Sequence, residues 1–300
     1  MGILEISHVT KSFGSNRVIK DLSFSVPEHA VFGFIGQNGA GKTTTMKMVL
    51  GLLKADSGEI YVNGEKVSFG QTATNRFIGY LPDVPEFYGF MTPREYLAMC
   101  GQITGMFPDK VKEKSTELLK LVGLEGVNKQ IRNFSRGMKQ RMGIAQALLN
   151  SPKLLICDEP TSALDPIGRK EILDILYSVR EHTTVIFSTH ILSDMERICD
   201  RVAFIHDGNI ALNGTLDEIK GIRKGEGIEI DFMHKKDAAF FLQNYSSGVL
   251  SEETRIVLKK QSEDDIIEIM RFLSQKNIAV RRLERLEPGL EDLFLEVVKG

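Results

Sequence analysis

The feature that most constrains the fold is a glycine-rich loop between an apolar run and a helix-like segment. Residues 36–43 read GQNGAGKT, which fits the pattern G-x-x-x-x-G-K-T, between the apolar run 30–35 and the segment 43–53. Glycines let a backbone wrap closely around an anion with its amides pointing inward, and the following helix presents a positive end. This order predicts an α/β core that holds nucleotide phosphates at the start of a helix.

The side chains of this loop suggest both ligands of the site. Lys42 adds a positive charge near the β- and γ-phosphates, and the Thr43 hydroxyl can coordinate Mg²⁺. The sequence therefore predicts ATP and Mg²⁺ as cofactors. The other loop residues in the predicted nucleotide-binding set are Gly36, Asn38, Gly39, Ala40, Gly41 and Thr44.

A second cluster of functional groups lies at the end of an apolar strand. Residues 154–157 are apolar and are followed by Asp158 and Glu159. Because the carboxyl ends of parallel strands face the ligand crevice, both carboxylates are expected near the phosphate loop. Asp158 is predicted to hold Mg²⁺ through its water shell, and Glu159 to act as the general base for the attacking water.

Residues 134–138 (FSRGM) and the apolar helix after them resemble the signature motif of ABC ATPases, usually written LSGGQ. Ser135 and Gly137 fall on its key positions. Further matches follow the order of that family and cover residues 1 to about 215. They are Phe13, where an aromatic stacks on adenine; 78–83, the Q-loop; Ser162–Asp165, the D-loop; and Ser188–His190, the switch histidine loop.

The resemblance implies an ABC-type P-loop NTPase domain over residues 1–215: a mixed sheet with flanking helices and a helical subdomain at about 90–150. It implies that two copies face head to tail, with each ATP between the phosphate loop of one and Ser135 and Gly137 of the other. His190 would contact the γ-phosphate, and Asp165 would join the nucleotide-binding set. The catalytic set is then Glu159, His190 and Lys42.

Three positions depart from the family pattern. Asp83 stands where glutamine or glutamate is usual, and its shorter carboxylate reaches Mg²⁺ only if the loop moves closer. Met138 replaces the signature glutamine and cannot donate a hydrogen bond. Arg136 replaces a glycine. These changes are expected to alter the rate of hydrolysis rather than abolish it, and Thr43, Asp83 and Asp158 form the predicted metal set.

Near residue 215 the pattern changes, and 216–300 reads as β-α-β-β-α-β, the order of a small α+β, ferredoxin-like domain. The closing segment LEDLFLEVV is predicted to be a helix. This tail resembles the C-terminal domain of some ATPase subunits of the ABC-2 export class. The resemblance favours export over import and leaves the role of the tail open.

Composition limits the partners. Net charge is −2, which gives no general attraction to nucleic acid. No apolar run approaches the ~20 residues of a membrane-spanning helix, and the N-terminus has no secretory pattern. The expected location is the cytoplasm, peripheral to the inner face of the membrane through a separate permease. A second ATP-binding subunit, in a homodimer or a heterodimer, is the other expected partner.

The sequence argues against three alternatives. Translation factors of ABC type usually carry two ATPase cores, and this chain has one. DNA-repair ATPases of this type insert a long coiled coil, for which this chain has no sustained heptads. A small-metabolite kinase needs no signature motif, and this chain has one. The aromatic-rich stretch 84–99 fits either a satellite core or a permease contact surface.

Overall fold

A computed structural model describes residues 2–71, 73–221, 227–259, 263–286, 290–291 and 293–294. The chain divides into two compact units, Met1–Leu216 and Asp217–Gly300. Within the described residues, no helix is both long and apolar enough to cross a bilayer.

The first unit is built on a ten-stranded mixed sheet. Its order is β5-β4-β1-β2-β10-β9-β3-β8-β7-β6, in which β9, β3, β8, β7 and β6 are mutually parallel. Strands β3, β7 and β8 are buried along their whole length, which explains their continuous apolar sequences. The strands are β1 (Leu4–Phe13), β2 (Asn16–Val26), β3 (Val31–Ile35), β4 (Ser57–Val62), β5 (Glu65–Lys66), β6 (Ile78–Leu81), β7 (Leu154–Asp158), β8 (Thr184–Thr189), β9 (Arg201–His206) and β10 (Asn209–Thr215).

The helices of this unit begin where the sequence provides caps. Thr92 and Glu95 form a capping box at the start of α2, Ser135 caps α4, and Asp165 caps α5 ahead of Pro166. The helices are α1 (Lys42–Val49), α2 (Pro93–Ile103), α3 (Pro108–Leu121), α4 (Arg136–Leu148), α5 (Pro166–Ser178) and α6 (Leu192–Ile198), with short 3-10 turns at Ala73–Phe77, Ile131–Asn133 and Val179–Glu181. The next helix, α7 (Leu216–Gly221), belongs to the second unit from Asp217 onward.

The predicted fold class of the core, a mixed sheet with flanking helices, is confirmed. Helix α1 is shorter than the predicted segment 43–53, because the chain turns at Gly51, whose φ is +67°. Helix α6 and strands β9 and β10 were not predicted, because this part of the sequence lacks a clear hydrophobic periodicity.

The second unit has the predicted ferredoxin-like order. Its sheet runs β12-β13-β11-β14, with all three neighbouring pairs antiparallel. Its core includes Phe232, Phe241 and Leu273, whereas Met270 of α9 is exposed. The predicted helix LEDLFLEVV lies largely outside the described residues. The elements are β11 (Gly227–Phe232), α8 (Lys235–Asn244), β12 (Gly248–Glu252), β13 (Arg255–Lys259), α9 (Glu263–Gln275) and β14 (Val280–Leu286).

Candidate functional site

The glycine-rich loop joins the carboxyl end of β3 to the start of α1. Gly39 and Gly41 have φ of +86° and +107°, a region that other residues rarely adopt. A Cβ on Gly36 would lie 2.7 Å from the backbone oxygen of Ile205, so the chain's own packing also requires glycine there. Asn38 and Gly39 are exposed at the tip, Ala40 and Thr44 are half-buried, and Thr43 is exposed. The predicted phosphate-binding residues therefore form one continuous turn.

The Lys42 side chain lies inside this turn. Its ammonium nitrogen donates to the backbone oxygens of Gly36, at 2.6 Å, and Gln37, at 3.3 Å. It also lies 3.6 Å from Glu159 Oε1, and the two side chains are only 6% and 15% exposed. The loop thus holds a nearly buried positive charge against its own carbonyl groups and a carboxylate.

Strand β7 brings its two carboxylates to this loop. Thr43 Oγ1 donates to Asp158 Oδ2 at 2.7 Å, and Ser188 Oγ donates to Asp158 Oδ1 at 2.7 Å. Ser188 stands opposite Asp158 because β7 and β8 pair in parallel in that register. Ser188 was not among the predicted site residues. Its position at the end of the neighbouring buried strand was the available signal.

The position of Glu159 is fixed by its backbone conformation and by the hydrogen bonds of its amide. Its φ is +49°, a conformation that costs a non-glycine residue about 1 kcal/mol or more. Its amide donates to the oxygen and the Oγ of Ser188, each at 3.1 Å. Oε2 lies 3.0 Å from His190 Nδ1, whereas the buried Oε1 has no hydrogen-bond partner in the described part of the chain. A buried carboxylate oxygen without a donor is suited to receive one from a bound molecule.

The donor groups fit a magnesium ion. The Thr43 hydroxyl and the Asp158 carboxylate provide adjacent oxygens, and Mg²⁺ prefers oxygen ligands supplemented by water and phosphate. Asp83 Oδ1 instead accepts from Ser162 Oγ at 2.8 Å and lies 3.4 Å from Arg136 Nη2. The metal roles of all three predicted ligands stay predictions.

Four other predicted nucleotide-binding residues lie elsewhere on the unit. Phe13 ends β1 and is half exposed, with Lys11 Nζ 5.3 Å from its ring centre. Ser135 Oγ accepts from the Met138 amide at 3.3 Å, and Asp165 Oδ1 accepts from the Gly168 amide at 2.7 Å, so both also cap helices. A Cβ on Gly137 would meet only a Leu164 methyl, at 3.8 Å.

The stretch 84–99 divides between the two predicted alternatives. Tyr96 is buried, and Phe87 packs edge-on against it at 5.2 Å between ring centres. Val84, Tyr88 and Phe90 are 62%, 57% and 64% exposed. Part of the stretch is therefore core, and part is an apolar surface.

Two family models match the chain. Residues 19–162 match the family described as "ABC transporter", and residues 214–298 match "ATP-binding protein DrrA1-3-like, C-terminal domain". The first match lies in the first unit, and the second spans most of the second unit.

Full-length relatives match as well. The chain is 39% identical to the ABC transporter ATP-binding protein YxlF of Bacillus subtilis, over 99% of both chains. It is 35% identical to the bacitracin transport ATP-binding protein BcrA of Bacillus licheniformis, over 99% of this chain and 98% of BcrA. Among solved structures it resembles CbiO1 of Clostridium perfringens, part of the ABC transporter complex CbiONQ, with TM-score 0.68 and 27% identity over 73% of this chain and 91% of CbiO1.

Proposed function

The chain belongs to the ABC transporter ATP-binding family, and on this premise we propose that it drives export through a separate membrane permease. It is the ATPase of the transporter, and residues 1–215 are proposed as its ATP-binding domain. The observation that carries the proposal is the convergence of Lys42, Thr43, Asp158, Glu159 and His190 within hydrogen-bonding or ion-pair distance.

Lys42, Glu159 and His190 are proposed to have separate roles in ATP hydrolysis. Lys42 exchanges the Gly36 carbonyl for phosphate oxygens, which removes its charge from the pair with Glu159. Glu159 then accepts the proton of the attacking water, with Oε1 as the available atom. His190 lies 3.0 Å from Oε2 and is proposed to contact the γ-phosphate, so that it would orient the base and sense the phosphate. The loop amides and the start of α1 bind the remaining phosphate charge.

Thr43 and Asp158 would hold Mg²⁺, with Asp83 as a further carboxylate. When bound, the ion neutralises charge on the phosphate oxygens. The chain's contribution is to keep these oxygens in place, which Ser188 does by its hydrogen bond to Asp158.

Two copies are proposed to sandwich each ATP head to tail, with Phe13 stacked on the adenine of its own site. Ser135 and Gly137 start α4, whose positive end can face the opposing γ-phosphate. Neither surface alone surrounds the nucleotide, so ATP stabilises the closed pair and hydrolysis releases it. Asp165 follows the loop that begins at Glu159 and is proposed to lie near the same interface.

The permease is proposed to dock in a groove of about 480 Å³ beside the exposed apolar surface. Val84, Phe87 and Phe134 give it an apolar lining, and the charged residues that line it carry both signs. An apolar helix of a membrane protein suits such a surface. The DrrA-like C-terminal match and the likeness to BcrA, a bacitracin transport protein, support export and a peripheral membrane location.

The test is biochemical. The purified chain with Mg²⁺ and ATP is expected to release inorganic phosphate, alone or with its permease. Glu159→Gln with ATP is expected to run as a dimer in size-exclusion chromatography, and wild type without nucleotide as a monomer. A wild-type protein that neither pairs nor releases phosphate, even with its permease, would rule out this function.

A further inference from the structure

Two of the departures from the family pattern are in contact. Arg136 Nη2 lies 2.9 Å from Ser162 Oγ and 3.4 Å from Asp83 Oδ1. Ser162 Oγ in turn lies 2.8 Å from the same Asp83 Oδ1. Arginine in place of glycine and aspartate in place of a longer side chain thus form one cluster, which we call the Arg136 clamp: Arg136, Ser162 and Asp83.

The clamp joins three segments that are far apart in sequence. Asp83 follows β6, Arg136 starts α4, and Ser162 lies in the loop after β7. The Gln140 amide nitrogen adds a second tie from α4 by donating to the Asp83 backbone oxygen at 2.7 Å. The Ser162 amide donates to the Glu159 oxygen at 3.1 Å. One arginine nitrogen is therefore linked through one serine to the backbone of the proposed general base.

The loop after β7 needs such support. Glu159 and Ala163 have φ of +49° and +51°, and neither is glycine. Residues in this region persist only when their surroundings fix them. Ser162 lies between these two strained positions and makes two clamp contacts, one with Arg136 and one with Asp83.

Exposure indicates what the clamp does. Arg136 and Asp83 side chains are 45% and 47% exposed, and exposed ion pairs contribute little to the free energy of unfolding. Small displacements of a catalytic group, in contrast, reduce rates strongly. The clamp should therefore affect turnover far more than stability.

We propose that Arg136 is a positioning residue for ATP hydrolysis, which acts through Ser162 to fix the loop that carries Glu159. This inference rests on the proposed function of Glu159. In this way α4, whose first turn is the surface offered to a second protomer, also sets the geometry of the base in its own protomer.

The test combines Arg136→Ala, Ser162→Ala, the double variant and Arg136→Lys. Each single alanine variant is expected to lower kcat at least about tenfold with KM for ATP within about twofold. The double variant should lose no more than either single one, because both remove the same link. A single arginine nitrogen contacts both Ser162 and Asp83, so the one ammonium group of Arg136→Lys should restore most of the rate. Arg197→Ala, which breaks an exposed pair with Asp174 at 2.9 Å, is the matched control and should keep the wild-type rate.

Hydrogen exchange gives a readout that does not depend on activity. The amides of Glu159, Ser162 and Leu164, which are hydrogen-bonded in the structure, should exchange faster in Arg136→Ala, while Tm stays within about 2 °C. Three results would overturn the clamp. They are rate losses that multiply in the double variant, wild-type turnover in Ser162→Ala, and unchanged amide exchange in Arg136→Ala. Faster exchange in a protein whose wild type has no ATPase activity would instead refute the proposed function and keep the clamp.

Discussion

Replacement of Glu159 by glutamine tests the proposed chemistry most directly. Glutamine has nearly the same shape, so the contact of its side chain with His190, 3.0 Å in the structure, can be kept. The substitution also leaves the strained backbone unaffected, because the two bonds from the Glu159 amide to Ser188 do not involve the side chain. The substitution therefore removes the negative charge and the basicity of one group and little else.

The size of the effect follows from what is removed. A positioned general base contributes roughly 10²–10⁴ in rate, or about 3–5 kcal/mol of the barrier. Glu159 Oε1 also lies 3.6 Å from Lys42 Nζ, and unit charges at about that distance attract by about 4 kcal/mol near a protein surface. Without this attraction Lys42 binds phosphate more readily. We therefore expect kcat to fall 10²–10⁴-fold while the affinity for ATP stays equal or rises.

Single-turnover release of phosphate measures the chemical step, and equilibrium binding of ATP at saturating Mg²⁺ measures affinity. Glu171→Gln is the matched control, since it removes a carboxylate paired with Arg141 at 3.0 Å, outside the site. It should leave both quantities unchanged. Turnover of Glu159→Gln within about threefold of wild type would remove the general base from the mechanism. Clearly weaker ATP binding would show that the pairing of Lys42 with Glu159 does not compete with phosphate.

Three further predictions follow from the packing. Gly137→Ala should keep or slightly raise Tm, because its Cβ has room and alanine favours a helix, yet abolish ATP-dependent pairing measured by size-exclusion chromatography. Gly79→Ala would place a Cβ 2.2 Å from the Ala147 backbone oxygen, so unfolding should require about 3 kcal/mol less and Tm should fall by about 6–12 °C in calorimetry. Burial raises the pKa of the Cys157 and Cys199 thiols, which stay protonated and unreactive near pH 8. Maleimide should label them only on unfolding, and rapid native labelling would contradict this.

Local signals account for the parts of the site that the sequence predicted. The loop 36–43 and the pair Asp158–Glu159 each have a short pattern whose backbone context, a buried strand and its carboxyl end, is also local. The contact between Thr43 and Asp158 then follows from general sheet geometry, since both lie at the same edge. In the C-terminal unit, the hydrophobic periodicities typical of strands and of helices predicted the order of these elements, because periodicity is also a local signal.

Contacts between distant segments were not predictable in this way. Ser188 fixes Asp158 only because β8 pairs with β7 in one particular register, and no pattern in the sequence specifies that register. Arg136 and Asp83 were interpreted as separate departures because nothing in their neighbourhoods connects them. Their contact depends on how α4 packs beside β6, which is a property of the tertiary structure.

Some glycines are required by the fold of the chain itself, and Gly137 is not. At Gly36 a side chain would collide with the Ile205 backbone, and at Gly41 the φ of +107° excludes most residues. Folding of one chain is enough to require glycine at both. At Gly137 neither reason applies: the nearest atom to an added Cβ is a Leu164 methyl at ordinary contact distance, and the residue has no positive φ. A small residue on an open helix start has a clear use if another molecule approaches it closely. The open space at Gly137 therefore supports the proposal that a nucleotide bound to a second protomer approaches this residue.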